Sequence, residues 1–186
     1  MSRFEIEDLP LHGLKRITRQ RLGDARGFLS RLFCADELAQ AGWHEPIAQV
    51  NHTYTATRGT VRGMHFQYAP ACETKLVSCL RGEVWDIAVD LRRGSPTLLH
   101  WHAEPLSATN GRALLIPKGF AHGFQALTDD VELLYLHSVA YSRIAEAGLN
   151  PNDPALSITW PLSIGTISTR DAQHTLLDMK FEGLQP

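Results

Sequence analysis

Residues 75–90 read KLVSCLRGEVWDIAVD, and this stretch decides the fold class. Two apolar runs, 75–80 and 83–90, flank Arg81-Gly82, where glycine supplies the turn geometry that other residues resist. Val77, Val84, Trp85, Ile87 and Val89 are β-branched or aromatic, and each run is short for a helix. The pair reads as a β-hairpin. Similar runs lie on either side: 47–55 and 60–67 before it, and 97–103, 112–116, 123–127 and 132–139 after it. Short strands broken by Gly, Pro, Asn and Asp, with few helical patterns between them, predict an all-β sandwich or barrel.

Two short helices are expected. Residues 35–41 are good helix formers and stop at Gly42, a residue suited to a helix C-terminus. Ser168-Thr169-Arg170-Asp171 fits the capping pattern S-x-x-D. The polar stretch 141–161 reads as a loop. No repeat or domain boundary stands out, so residues 1–186 read as a single domain.

The chain has 186 residues, 44% hydrophobic and 20% charged, with net charge −2. That balance disfavours a broad nucleic-acid surface but leaves room for a local anion site. Cys34, Cys72 and Cys79 have no metal-like spacing, and their odd number argues against a disulfide framework. A reducing cytoplasm is expected. The N-terminal ten residues do not read as a signal peptide. No apolar run approaches the roughly 18 residues of a membrane span.

Nine histidines are the first chemical signal. His65 in Arg62-Gly63-Met64-His65-Phe66-Gln67 and His122 in Gly119-Phe120-Ala121-His122-Gly123 both lie among glycines. A lone histidine is a hydrogen-bonded filler more often than a base or ligand. Arg26, in Gly23-Asp24-Ala25-Arg26-Gly27, and Arg62 have the planar guanidinium that suits a diphosphate, yet each also reads as a solvated surface charge. Lys75 opens an apolar strand, either snorkelling at its end or facing a pocket as an oxyanion partner. Tyr135 is a core aromatic whose hydroxyl needs a partner, and Asp171 is a helix cap. Where a cupin metal site would carry an H-x-H pair the chain reads His65-Phe66-Gln67, and there is no H-E-x-x-H or C-x-x-C, which argues against metal catalysis. Nor is there a Walker loop or G-x-G-x-x-G. By residue type alone, the reading stops at a soluble β-barrel with suggestive polar residues.

Taken together, GDARGF (23–28), QVNHT (49–53), VRGMHFQ (61–67), KLVSCLRGEVWDIAVDLRRGSPT (75–97), LLIPKGFAHGFQAL (114–127) and NDPALSITWPL (152–162) resemble the dTDP-4-dehydrorhamnose 3,5-epimerase family. The blocks stand in the family's order and cover nearly the whole chain. The resemblance implies a cupin-type double-stranded β-helix, or jelly roll, with a few short helices. It also implies a homodimer, chemistry without metal or other cofactor, and a nucleotide-sugar substrate, dTDP-linked. His65 becomes the base, Asp171 its carboxylate partner, Lys75 the enolate stabiliser and Tyr135 the acid. Arg26 and Arg62 become diphosphate ligands, and Gln49, Asn51, His122 and Tyr141 line the pocket. The expected reaction inverts C3, C5 or both of a 4-keto-6-deoxy sugar. The alternative is a ketoisomerase or a non-catalytic binder on the same scaffold.

The chain departs from the family at Val50, where an aspartate is usual, at Arg31 in place of a glutamate, and at Leu22 in place of an aromatic. The segment following Tyr135 is also altered. These changes bear on which sugar is used and how many centres invert.

Overall fold

The computed structural model describes residues 2–178 and 180–186. Among the described residues, the order is β1 (Phe4–Asp8), β2 (Lys15–Arg19), β3 (Arg21–Asp24), β4 (Gly27–Ser30), α1 (Ala35–Leu38), β5 (Gln49–Thr55), β6 (Val61–Gln67), β7 (Lys75–Arg81), β8 (Glu83–Asp90), β9 (Trp101–Ser107), β10 (Arg112–Ile116), β11 (Phe120–Ala126), β12 (Val131–His137), β13 (Glu146–Gly148) and α2 (Thr169–Ala172). Two antiparallel sheets face each other, one ordered β1-β2-β10-β7-β12-β5 and the other β13-β6-β11-β8-β9. This is the expected all-β, cupin-type jelly roll with short helices. Strands β3 and β4 form a separate two-stranded arm.

The expected 75–90 hairpin is not formed. β7 pairs with β10 and β12, whereas β8 pairs with β9 and β11 in the opposite sheet. Each strand already has both hydrogen-bonding edges occupied by others. What joins the two is the core, because Val77 and Cys79 pack with Val84 and Ala88 in one buried cluster. Gly82, at φ +74, turns the chain from one sheet to the other, and a Cβ there would lie 2.5 Å from Thr128 Oγ1.

Other boundaries shift for local reasons. The strand expected at 97–103 begins at Trp101, because the buried Asp90 carboxylate gathers the Arg92 guanidinium and the Ser95 and Thr97 hydroxyls into a tight turn. Leu99 ends that turn with φ +64 and donates its N–H to the Asp90 carbonyl. The expected loop 141–161 contains β13, which adds to the edge of β6. Strands β1 and β2, outside the sequence reading, extend the larger sheet beyond β10. Residues 35–41 form α1 followed by a 3-10 turn, ending at Gly42 with φ +101. Cys34, Cys72 and Cys79 are unpaired.

Packing divides the molecule by polarity. The inner face of β12 runs Val131, Leu133, Tyr135, His137, and that of β7 runs Cys79, Val77, Lys75. Their apolar ends fill the space between the sheets, which leaves the polar ends at one mouth. The outer face of β6, β8 and β9 is covered by the C-terminal segment through Leu149, Leu156, Trp160, Phe181 and Leu184. Burying those side chains, at about 25 cal/mol per Å² of apolar area, holds that segment, and α2 with it, at the cleft.

Candidate active site

The polar mouth is a cleft of about 610 Å³, lined by both sheets and by residues 166–171. That size suits a small organic ligand. Gln49, Asn51, Arg62, His65, Lys75, His122, Tyr135, Tyr141 and Asp171 all line it.

Register explains the grouping. On the larger sheet His137 stands between Gln49 and Lys75, and Tyr135 between Asn51 and Val77. On the other sheet His65 faces His122 across β6 and β11. Arg62 and His65 are three apart, so a regular strand would aim them to opposite faces. A register shift opposite Gly123 changes that parity. It depends on glycine: a Cβ on Gly63, at φ +118, would fall 2.5 Å from Gly123 Cα.

His65 and Asp171 form the central pair, with Nε2 2.8 Å from Oδ1. Gly63 N–H also donates to Asp171, at 3.2 Å. Ser168 alone caps α2, accepting from the Asp171 N–H at 3.0 Å, so the Asp171 carboxylate is free for His65. Burial pushes that carboxyl up. The hydrogen bond and charge of His65, with the Gly63 and Ser168 contacts, outweigh burial and hold it at about 2. An ionised carboxylate only accepts, so Nε2 must carry the hydrogen and Nδ1 the lone pair. Arg170 Nη2, 3.2 Å from the same Nε2, is therefore a neighbouring cation rather than a donor to it.

Lys75 is buried against Glu73, with Nζ 2.9 Å from Oε1, and donates to the His65 carbonyl at 3.3 Å. Gln67 donates to Glu73 at 2.9 Å. On the far side His122 Nε2 meets the fully buried Asp86 at 2.8 Å, and burial pushes the Asp86 carboxyl up despite His122. Tyr135 packs edge-on to His122, ring centres 5.8 Å apart. Burial first, and the Asp86 charge second, raise its phenol well above the usual tyrosine range. At the rim, Tyr141 and Arg170 both bond Glu146, each at 2.8 Å.

Glu73, Asp86, His137, Glu146 and Arg170 escaped the sequence reading. Asp86 carried a signal, a carboxylate amid Val84, Ile87, Ala88 and Val89. Arg26 departs from expectation. It stands outside its own chain's cleft, at the exposed tip of the β3–β4 arm, paired with Asp24 at 2.5 Å. The Gly23–Gly27 turn points that tip into solvent. Val50 and Leu22 are likewise exposed, and Arg31 pairs with Glu37, so none of these departures touches the cleft.

His137 carries a pH prediction. Burial first, and the Lys75 charge next, lower its pKa from 6.5 to about 4. Below about pH 6.5 the unfolded chain therefore takes up a proton that the folded one refuses, and acid destabilises the fold. From about pH 4 to 2, protonation of Asp171 and Asp90 continues the loss. His137→Gln is expected to flatten the decline in thermal midpoint between about pH 6.5 and 4. An unchanged slope in melting scans counts against it.

A family model described as dTDP-4-dehydrorhamnose 3,5-epimerase matches residues 8–179. The chain is similar to a dTDP-4-dehydrorhamnose 3,5-epimerase of Sinorhizobium fredii, 38% identical over 95% of this chain and 91% of that one. It is also similar to a dTDP-4-dehydrorhamnose 3-epimerase of Streptomyces niveus, 38% identical over 98% and 89%. The crystal structure of dTDP-4-dehydrorhamnose 3,5-epimerase from Bacillus anthracis, with TDP and PPi bound, superposes with a TM-score of 0.90. It is 36% identical and covers 94% of this chain and 99% of its own.

Proposed function

The chain belongs to the dTDP-4-dehydrorhamnose 3,5-epimerase family, and on that premise we propose how its cleft epimerises a dTDP-linked 4-keto-6-deoxy sugar in deoxysugar biosynthesis. It is an isomerase. The observation that carries the residue assignment is the His65–Asp171 pair on one wall with Tyr135 and Lys75 on the other.

Carbon–hydrogen bonds beside a ketone are weakly acidic, because the resulting charge spreads onto the ketone oxygen. The Nδ1 lone pair of His65 takes that proton, and the bonding electrons move into an enolate. Asp171 holds the tautomer and stabilises the imidazolium. Lys75 donates to the enolate oxygen. Tyr135 gives a proton to the same carbon from the opposite face, inverting it. Proton exchange with solvent then returns the His65 imidazolium and the Tyr135 phenolate to their starting states. Arg62 positions the diphosphate, with Gln49, Asn51, His122 and Tyr141 around the sugar. No step in this scheme calls on a metal or other cofactor.

Deuterium from heavy water is expected to enter C3, C5 or both of a dTDP-4-keto-6-deoxy sugar, read by NMR. No uptake with such substrates would sink the reading. A product whose ketone has moved would point to a ketoisomerase, and binding without exchange to an inactive binder.

The chain is taken as one catalytic unit, 1–186, working in a reducing cytoplasm where its free thiols persist. It acts as a homodimer. Phe28 and Leu29 on the β3–β4 arm are 61% and 71% exposed, and a lone two-stranded hairpin is marginal in water. Docking the arm on a second copy covers them and gives Arg26 a route to the partner's diphosphate. Analytical ultracentrifugation is expected to give twice the 20.7 kDa of the chain. A species of chain mass at micromolar concentration would overturn the dimer.

A further inference from the structure

His174 has no part in the proton transfers above, yet its position is built. Asn150 donates to the carbonyls of Ala172 and His174, at 3.0 and 3.3 Å, and fixes the backbone after α2. The ring lies against Gly148, where a Cβ would come 2.2 Å from Nε2. That nitrogen is buried and has no hydrogen-bond partner among the described residues. It stands 4.0 Å from Asp171 Oδ1, too far for a hydrogen bond. The His65 and His174 rings meet edge to face, centres 6.4 Å apart. One ligand atom from each of His65, Asp171 and His174 falls within 4.8 Å of the others.

The geometry points to a regulatory site for a divalent transition metal, zinc above all, held by His65, Asp171 and His174 and shutting the enzyme off. Two imidazoles and a carboxylate are a zinc donor set, with a fourth position left to water. Bonds of about 2.0–2.1 Å place tetrahedral ligands roughly 3.3 Å apart. The 2.8 Å His65–Asp171 contact must open slightly and the 4.0 Å Asp171–His174 gap must close, adjustments within the reach of side-chain rotation. Arg170, with Nε 3.5 Å from Asp171 Oδ1, opposes the ion, but it is 55% exposed and can swing into solvent on the side of Glu146.

Inhibition follows from tautomer chemistry. The resting imidazole of His65 carries its hydrogen on Nε2 and its basic lone pair on Nδ1. A metal on Nε2 displaces that hydrogen, and a neutral imidazole keeps it on Nδ1 instead. The atom that accepts the carbon-bound proton is then already protonated. The same ion takes the Asp171 charge that would have stabilised the imidazolium.

The test uses the full-length protein, zinc chloride and cobalt(II) chloride. Micromolar zinc is expected to stop deuterium exchange, reversibly on chelation, and competitively with the sugar nucleotide. His174→Phe keeps the ring volume, leaves exchange without metal close to wild type, and should lower zinc sensitivity by about tenfold or more. Cobalt is expected to give the visible absorption of a tetrahedral site, one equivalent per chain, in the wild type and not in His174→Phe. That spectrum needs no turnover, so it separates failure of the metal site from failure of the catalytic assignment. Equal zinc sensitivity in the two proteins, or no cobalt band in the wild type, overturns the proposal. His174→Gln serves as a second variant should the phenylalanine impair folding.

Discussion

Replacing His65 with alanine is expected to lower deuterium incorporation into the sugar by about a hundredfold to ten-thousandfold, the usual weight of one general base. Binding of dTDP, measured by calorimetry, should survive, because the diphosphate contacts are assigned elsewhere. The fold should survive as well. The His65 side chain is 32% exposed, so truncation opens little buried cavity, and β6 keeps its backbone pairing to β11 and β13. Asp171 loses one partner but retains the Gly63 N–H. The size of the effect comes from the absence, among the described residues that line the cleft, of a second imidazole paired with Asp171. His122, on the adjacent strand, commits Nε2 to Asp86. A variant with more than about a tenth of wild-type exchange would move the base away from His65, and His122 would be the next residue to test.

The second large effect is expected from Tyr135→Phe, and it should differ in kind. Removing one hydroxyl from a ring packed against the core costs little volume. Formation of the inverted product should fall by about a hundredfold or more. Exchange into unreacted substrate should fall much less. His65 reaches the cleft from β6 in one sheet and Tyr135 from β12 in the other. A proton removed towards one sheet and returned from the same side restores the starting centre with solvent deuterium in it. Inversion needs a donor on the other wall. Burial keeps the Tyr135 phenol protonated across neutral pH, so the wild type always presents that donor. Equal losses of exchange and inversion would place Tyr135 in binding or in the abstraction step instead.

The two experiments divide the site as the two sheets do, and that division was invisible in the chain. The stretch 75–90 shows why. Its β-branched and aromatic residues identified two strands, because the local preference for extended backbone depends on residue type. Their partners depended on which edges the rest of the chain would occupy, a non-local property. A short turn at Gly82 looks the same in a hairpin as in a crossing between sheets. Strand existence was therefore legible and strand pairing was not. The boundary error at 97–103 is of the same kind, since Asp90 reaches forward to claim Ser95 and Thr97 only once it is buried.

The candidate site divides similarly. Residue types, reinforced by the blocks shared with a family, picked out nine side chains that meet in one cleft. Arg26 failed to join them because a motif fixes a residue's neighbours along the chain and not the surface its arm will cover. Glu73, His137 and His174 gave no warning in sequence, since a lone Glu or His is ordinary on any strand or loop. Each gained its meaning from burial beside a partner: Glu73 from Lys75, His137 from Asn51 and Tyr135, His174 from Asp171.

What the sequence determined by itself was local and chemical: extended segments, their approximate ends, and an imidazole, a carboxylate, a lysine and a phenol in a family's order. Tertiary structure alone decided that KLVSCLRGEVWDIAVD spans the core rather than folding on itself, because hydrogen-bonded edges are allotted across the whole chain. It also decided that the Asp171 carboxylate goes to His65 and not to the α2 cap, and that base and acid face each other from opposite sheets. Those outcomes depend on contacts between residues far apart in the chain, His65 and Asp171 being 106 positions apart, which only the packing of the core brings together.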